Sequence, residues 1–418
     1  MSSIASGSAR PARPARAEQR RSLVLAFLDR PLTSYYLVIG ATALLLGLGL
    51  VMVLSASSVT SFTSSGSSFT IAERQGVWVA IGLPALWLGA RLPVRVYRLL
   101  GYPLLLLSFA LLVLVLVPGI GVNVSGATRW IDLPGGLQLQ PSEPAKLALV
   151  LWGADLLARK EKSLDKTKHL LIPLVPVALA MGLLVMKQPD MGTTIVLLLV
   201  MLALLFTAGA PWGAFARIGV GLGVGLGALA VTEPYRLQRL TGFRNPCSAK
   251  IAQSIGYQAC QGLYALSSGG WFGLGLGASR EKFGYLPNQY TDYIFAIIGE
   301  ELGLLGTLLV LGLFALLGFA GIRIAQRCTD RFSQLAAAGV TAWLLGQALV
   351  NMGAVVGLLP ITGIPLPLVS FGGSALVPTM FGIGMLISFA RREPATAKAL
   401  AARKAARGSW RAKVAWSR

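Results

Sequence analysis

The sequence predicts an all-α polytopic membrane protein with about ten transmembrane helices and a large extracytoplasmic loop between the seventh and eighth. Three observations predict it. Of 418 residues, 55% are hydrophobic and 13% charged, about half the charge of a soluble domain. Apolar runs of about 20 residues, the length of a span, recur along the chain. With ten spans, 27 of the 37 Lys and Arg residues fall on the side of the two tails, which makes that side cytoplasmic.

The spans are read at 35–54, 76–92, 98–118, 143–158, 170–187, 191–209, 213–231, 292–321, 335–356 and 376–390. Residues 1–30 form an Arg-, Ala- and Pro-rich tail whose composition predicts disorder. The first apolar run after it exceeds a signal-peptide core and reads as an uncleaved anchor. Residues 31–391 form the membrane domain, 232–291 its large outer loop, and 392–418 a basic C-terminal tail. The net charge of +21 sits in tails and short loops. It therefore reports orientation and contact with anionic lipid rather than nucleic acid, for which no reading motif is present.

Four segments lie outside. Residues 55–75 are Ser/Thr-rich and read as a connector. Residues 119–146, 232–291 and 357–375 are mostly rich in Gly and Pro with few charges, as expected of loops that dip into the membrane edge and are held by protein. Gly219, Gly223 and Gly227 recur every fourth residue, a pattern read as close helix packing. Cys247 and Cys260 share the outer loop, where a bridge and two free thiols are both open. Cys328 is cytoplasmic and reduced. His169 reads as solvated, and no metal-ligand spacing is legible.

The stretch 273–303 carries the most chemistry. Arg280, Glu281 and Lys282 precede Asp292, which stands where the chain enters an apolar helix. Asp292 suits a helix N-cap and also a general base at the membrane surface. Glu300 and Glu301 follow, roughly 12–13 Å deeper at 1.5 Å per residue. Acids in a span are expected to be paired or functional, and two adjacent ones point about 100° apart and cannot share a partner. Glu143 and Lys146 stand at i, i+3 near a helix start, the spacing of a local ion pair that counts for little if exposed. With Arg129 upstream and the Lys187/Asp190 pair, the cations Arg129, Lys146, Lys187, Arg280 and Lys282 share a side with Asp292. One base and several cations at the outer face fit glycosyl transfer from a lipid diphosphate. The carboxylate takes the acceptor proton, and positive charge steadies the leaving group.

At its motifs the chain resembles the SEDS family (shape, elongation, division and sporulation), which includes FtsW, RodA and SpoVE. The matching residues are GATRWI at 126–131, QPSEPAKL at 140–147 and QPDMGTT at 188–194. They continue with SSGGWFGLGLGAS at 267–279, YLP at 285–287, TDYIFAIIGEELG at 291–303 and GIPLPLVSFGGSA at 363–375. The resemblance implies a peptidoglycan glycosyltransferase that polymerises lipid II at the outer face of the bacterial cytoplasmic membrane. Asp292 falls on the family's essential aspartate, and Arg129, Glu143 and Lys146 on its conserved charged positions. It also implies a divalent cation, Mg or Mn, and no organic cofactor. The implied partners are a class B penicillin-binding protein, other divisome proteins and membrane lipids, with no nucleic acid. The basic tails and the run GYQACQGLYALSSGG resemble the cell-division (FtsW) type, which places the chain at the septum, and elongation or sporulation types share the motifs. Pro144 departs from the family's usual Phe and predicts only a local change. Ten helices and interior acids also suit a lipid II flippase, which needs a midplane site. A scaffold for a penicillin-binding protein would not need Asp292.

Overall fold

The computed structural model describes residues 31–124, 127–134, 137–161, 170–232, 245–249, 251–254 and 256–402. The N-terminal tail, His169, residues 233–244 and the C-terminal end from 403 lie outside the described residues. The helices are α1 Thr33–Ser65, α2 Thr70–Arg91, α3 Val94–Leu114, α4 Ser142–Arg159, α5 Leu174–Lys187, α6 Met191–Ala208 and α7 Trp212–Thr232. They continue with α8 Tyr257–Ser268, α9 Ile294–Arg327, α10 Arg331–Val355 and α11 Leu376–Arg392. Each of the ten expected spans overlaps one of these; α8 is an additional short helix within the outer loop. Among the described residues six helices are long and apolar enough to cross a membrane: α1, α3, α6, α9, α10 and α11 with its preceding 3-10 turn.

Two expectations are corrected. The chain is not wholly helical: Gly121–Val124, Ala127–Leu133 and Leu137–Leu139 form a three-stranded antiparallel sheet, β1 to β3 in order. Val122 pairs with Trp130, and Ile131 pairs with Leu139. The segment from Ser55 is not a connector, because α1 runs on to Ser65 and ends at Gly66 in the left-handed region, a helix stop that glycine favours.

The core is one continuous apolar cluster, with Leu45, Leu149, Val196, Ile297, Val340, Trp343 and Leu386 sealed from solvent. Close helix packing falls elsewhere than the glycine repeat suggested. At Gly219 and Gly223 an added Cβ meets nothing within 4 Å. The close approach is between α2 and α11, where a Cβ on Gly89 would lie 2.5 Å from the Phe381 carbonyl and one on Gly384 2.3 Å from that of Leu86. Only a bare backbone lets two helices meet so tightly.

α9 is broken. Gly303 takes φ 67°, ψ −163° within it, a geometry open to glycine and strained for other residues. A break strands the carbonyls of one helix end and the amides of the next start. The loop at 269–275 satisfies both. Leu274 N and Gly275 N donate to the Glu300 and Glu301 carbonyls at 2.9 and 3.0 Å, and Leu304 N and Leu305 N donate to those of Gly270 and Trp271 at 2.9 and 3.3 Å. The loop at 357–375 is held by protein as expected. Gln75 Nε2 donates to the Ser370 carbonyl at 3.3 Å, and Gln140 N donates to Ser374 Oγ at 2.9 Å. Gly192, in the first turn of α6, lies against Thr362 and Ile364, where a side chain would collide.

Candidate functional site

Asp292 stands in the turn before α9, half-buried. It is not the helix cap: α9 begins at Ile294, and its N-cap is Tyr293, with no side-chain capping bond. The main-chain carbonyl of Asp292 accepts from Asn351 Nδ2 at 2.7 Å, which leaves the carboxylate to face elsewhere. Burial pushes that carboxyl from 3.8 up to about 6; the Arg129 guanidinium pulls it down and Asp190 pushes it further up.

Arg129 comes from β2. Its Nε donates to the Gln188 carbonyl at 3.1 Å and its Nη2 to that of Pro189. The tight turn between α5 and α6 thus aims the guanidinium and leaves Nη1 free of those bonds. Nη1 of Arg129 and Oδ2 of Asp292 each lie 3.6 Å from the point where a Cβ on Gly363 would sit. Among the described residues the two face one another without closing an ion pair. Asp190 serves the fold. Its carboxylate caps α6, accepting from Thr193 N and Oγ1 at 3.1 and 2.8 Å and from Gln140 Nε2 at 3.2 Å. The expected Lys187/Asp190 pair is not made, and Lys187 is exposed at the end of α5.

Glu143 and Lys146 form the expected i, i+3 pair at 2.7 Å, but it is not a surface pair. Their side chains are 1% and 0% exposed. Lys146 Nζ also donates to Gln347 Oε1 at 2.8 Å and lies 5.4 Å from the centre of the Trp343 ring. Both charged groups are therefore sealed behind the Asp292 region, and neither presents an open face to a ligand in this structure. Pro144 sits in the first turn of an intact α4, as expected.

The cations of the outer loop divide. Arg280 is exposed, with its backbone N bound to Glu300 Oε1 at 2.8 Å. Lys282 is buried; its Nζ donates to the Gly277 carbonyl and lies 3.7 Å from Glu301 Oε1. Lys282 is thus occupied by its own loop and by Glu301 of α9. Glu300 accepts from Ser279 Oγ at 2.5 Å, and Glu301 accepts from Ser55 Oγ at 2.7 Å and from Ser279 N at 3.4 Å. The two acids share Ser279 after all, because its hydroxyl and amide point to different carboxylates. They stand just before the break at Gly303 rather than deep in a continuous span. Cys247 and Cys260 are bridged, and Cys328 is a buried free thiol.

Sequence reading missed Asn351 and Gln347, and took Gly363 only as the start of a motif. Asn351 Nδ2 also donates to the Ile364 carbonyl at 2.8 Å, and Gln347 Nε2 to that of Pro365 at 2.9 Å. The available signal was two amides four residues apart in an otherwise apolar helix, where a polar group must find a partner. Among the described residues no group of three His, Cys, Asp or Glu side chains is placed to hold a metal ion. The oxygens of Asp190 are already engaged, so the described residues do not fit a protein-made divalent site.

Residues 36–394 match the family described as cell cycle protein, FtsW/RodA/SpoVE. A probable peptidoglycan glycosyltransferase FtsW of Mycobacterium tuberculosis is 44% identical over 396 residues, covering 95% of this chain and 73% of the relative. Stage V sporulation protein E of Bacillus subtilis is 39% identical over 356 residues, covering 85% and 96%. Among solved structures, a chain of a peptidoglycan synthase complex that coordinates polymerization and crosslinking has a TM-score of 0.70 at 28% identity, covering 85% of this chain and 97% of that one. The rod shape determining protein RodA of Thermus thermophilus has a TM-score of 0.61 at 29% identity, covering 88% and 99%. The broken helix, the buried Glu143–Lys146 pair and the Arg129–Asp292 opposition thus belong to a chain of the FtsW/RodA/SpoVE cell cycle protein family.

Proposed function

We propose that this protein is a peptidoglycan glycosyltransferase that polymerises lipid II at the outer face of the bacterial cytoplasmic membrane, in the division type of its family. The observation that carries this reading is the placement of Asp292 Oδ2 opposite Arg129 Nη1 across Gly363. An acceptor sugar hydroxyl attacks the anomeric carbon of the donor. Its O–H proton passes to the Asp292 carboxylate, the new glycosidic C–O bond forms, and the bond to the lipid diphosphate breaks. The departing diphosphate gathers negative charge, which the Arg129 guanidinium faces. With its carboxyl raised by burial to about 6, Asp292 stays largely ionised at neutral pH and binds a proton more readily than an ordinary carboxylate.

Arg280 and Lys187 are exposed on the same end and suit transient contact with lipid II. Glu143, Lys146 and Lys282 act through the groups they hold in place. A divalent cation, expected by family analogy, would need most of its ligands from substrate. Both tails are cytoplasmic in this reading, and the septum is the site of action. The partner is a cross-linking enzyme of the class B penicillin-binding type, a role supported by the likeness to a chain of a peptidoglycan synthase complex.

The flippase alternative leaned on Glu300 and Glu301, and those acids are bound to Ser279, Ser55 and the 279–282 loop. The test is polymerisation of purified lipid II by the protein with its partner. Asp292→Ala is expected to fold, bind the partner and make no glycan; full activity would remove the assignment. Lipid scrambling without polymerisation would favour transport.

A further inference from the structure

We infer that Asn351, with Gln347 one turn behind it, is a positioning residue that sets the gap between Asp292 and Arg129. The inference rests on the reading of Asp292 as the base. Trp343, Gln347 and Asn351 recur every fourth residue of α10 and so share one face; all three are buried. The single amide nitrogen of Asn351 donates both its hydrogens to main-chain carbonyls of two separate segments. One is that of Asp292 at 2.7 Å and the other that of Ile364 at 2.8 Å. Ile364 follows Gly363, the residue across which Asp292 Oδ2 and Arg129 Nη1 face one another. One side chain therefore fixes the spacing between the segment that carries the base and the segment that forms the floor of the gap.

Gln347 repeats the device on the next carbonyl. Its Nε2 donates to Pro365 at 2.9 Å, while its Oε1 accepts from Lys146 Nζ at 2.8 Å and from Trp343 Nε1 at 3.0 Å. The buried Glu143–Lys146 pair is in this way joined to Pro365, next to the carbonyl Asn351 holds. An amide suits each position: at Asn351 one nitrogen supplies two donors, and at Gln347 the same group donates and accepts. The amide orientation of Asn351 follows from its two acceptors, since the reverse would set oxygen against oxygen.

The test is Asn351→Asp, which keeps volume and shape but removes both donors and adds a negative group beside Asp292, already flanked by Arg129 and Asp190. Lipid II polymerisation is measured with the partner present across pH, alongside size-exclusion behaviour. The expected result is a fall in kcat on the order of 10²-fold, the scale of an ångström-level misplacement, with KM little changed. The acid limb is expected to move up by about one pH unit from the added like charge. Wild-type kcat and acid limb, or a change in KM alone, overturns the inference. If Asn351→Asp does not yield folded protein, Gln347→Glu decides: it keeps the contacts to Lys146 and Trp343 and loses only Pro365. A fall in kcat of about 10-fold supports the inference and wild-type kcat overturns it. Asp292→Asn run beside them separates the failures: if that variant is active, the base assignment is wrong; if it is inactive while Asn351→Asp matches wild type, only this inference is wrong.

Discussion

Arg129 Nη1 and Asp292 Oδ2 lie at equal distance, 3.6 Å, from the spot a side chain on Gly363 would occupy. Gly363 also has φ +67°, in the left-handed region. Gly363→Ala is therefore disfavoured twice, by a backbone cost of about 1–2 kcal/mol and by a methyl group set against both the Asp292 carboxylate and the Arg129 guanidinium. The expected outcome is a modest fall in melting temperature with loss of most polymerisation activity. Activity that falls only in step with stability would show that the gap itself has no catalytic use.

Asp292 gives a signed pH prediction. Burial raises its carboxyl from 3.8 to about 6, so the folded state holds its proton more tightly than the unfolded chain. The stability linked to this group is complete below pH 3.8 and is lost as pH rises through about 6. Asp292→Asn removes the ionisable group, so its melting temperature should exceed that of the wild type at about pH 7.5 and match it near pH 4. With Asp292 as the proposed base, activity is expected to run the opposite way, rising through about pH 6 as its carboxyl ionises. Thermal unfolding in detergent and the pH–rate profile test the two halves separately.

Lys146 and Arg217 differ in burial, not in charge. Lys146→Ala leaves Glu143 charged and unpaired inside the protein, a defect on the order of 3–5 kcal/mol, and frees Gln347 from its place. Arg217 is exposed on α7, so Arg217→Ala should leave both stability and polymerisation unchanged. Equal losses from the two substitutions would contradict the buried placement of Lys146.

The three cysteines predict a thiol count. With Cys247 and Cys260 bridged, non-reducing denaturation followed by alkylation should modify Cys328 alone. In the folded protein even that thiol should be inert: burial pushes it up to about 12, with Glu393 and Asp330 adding to the rise, and the thiolate is the reactive form. Recovery of alkylated Cys247 or Cys260 from the unreduced protein would show the bridge absent.

Much of this architecture was legible in the residues. Span-length apolar runs placed ten helices because a bilayer constrains length and polarity more tightly than any soluble core does. Asp292 and Arg129 stood out as charges flanking apolar segments. What escaped reading were relations between distant segments. The spacing of Glu143 and Lys146 announced an ion pair, but whether water reached it depended on where Gln347 and Trp343 fell on another helix. Glu300 and Glu301 looked like deep acids because nothing in GEELG announced a break, whereas Gly303 adopts a positive φ only with the 269–275 loop there to receive its loose ends. The sheet was hidden by length, since strands as short as LQL carry almost no periodic signal.

The break at Gly303 also divides the labour of α9. After it, Leu304, Leu305 and Leu308 are exposed, as suits an apolar helix face turned to lipid. Residues 294–301 before it are sealed in protein and are stitched at Glu300 and Glu301 to the 269–282 loop. Asp292, the proposed base, stands immediately before this short stub, so the loop that receives the stub's loose ends also frames the end of the chain segment that carries it.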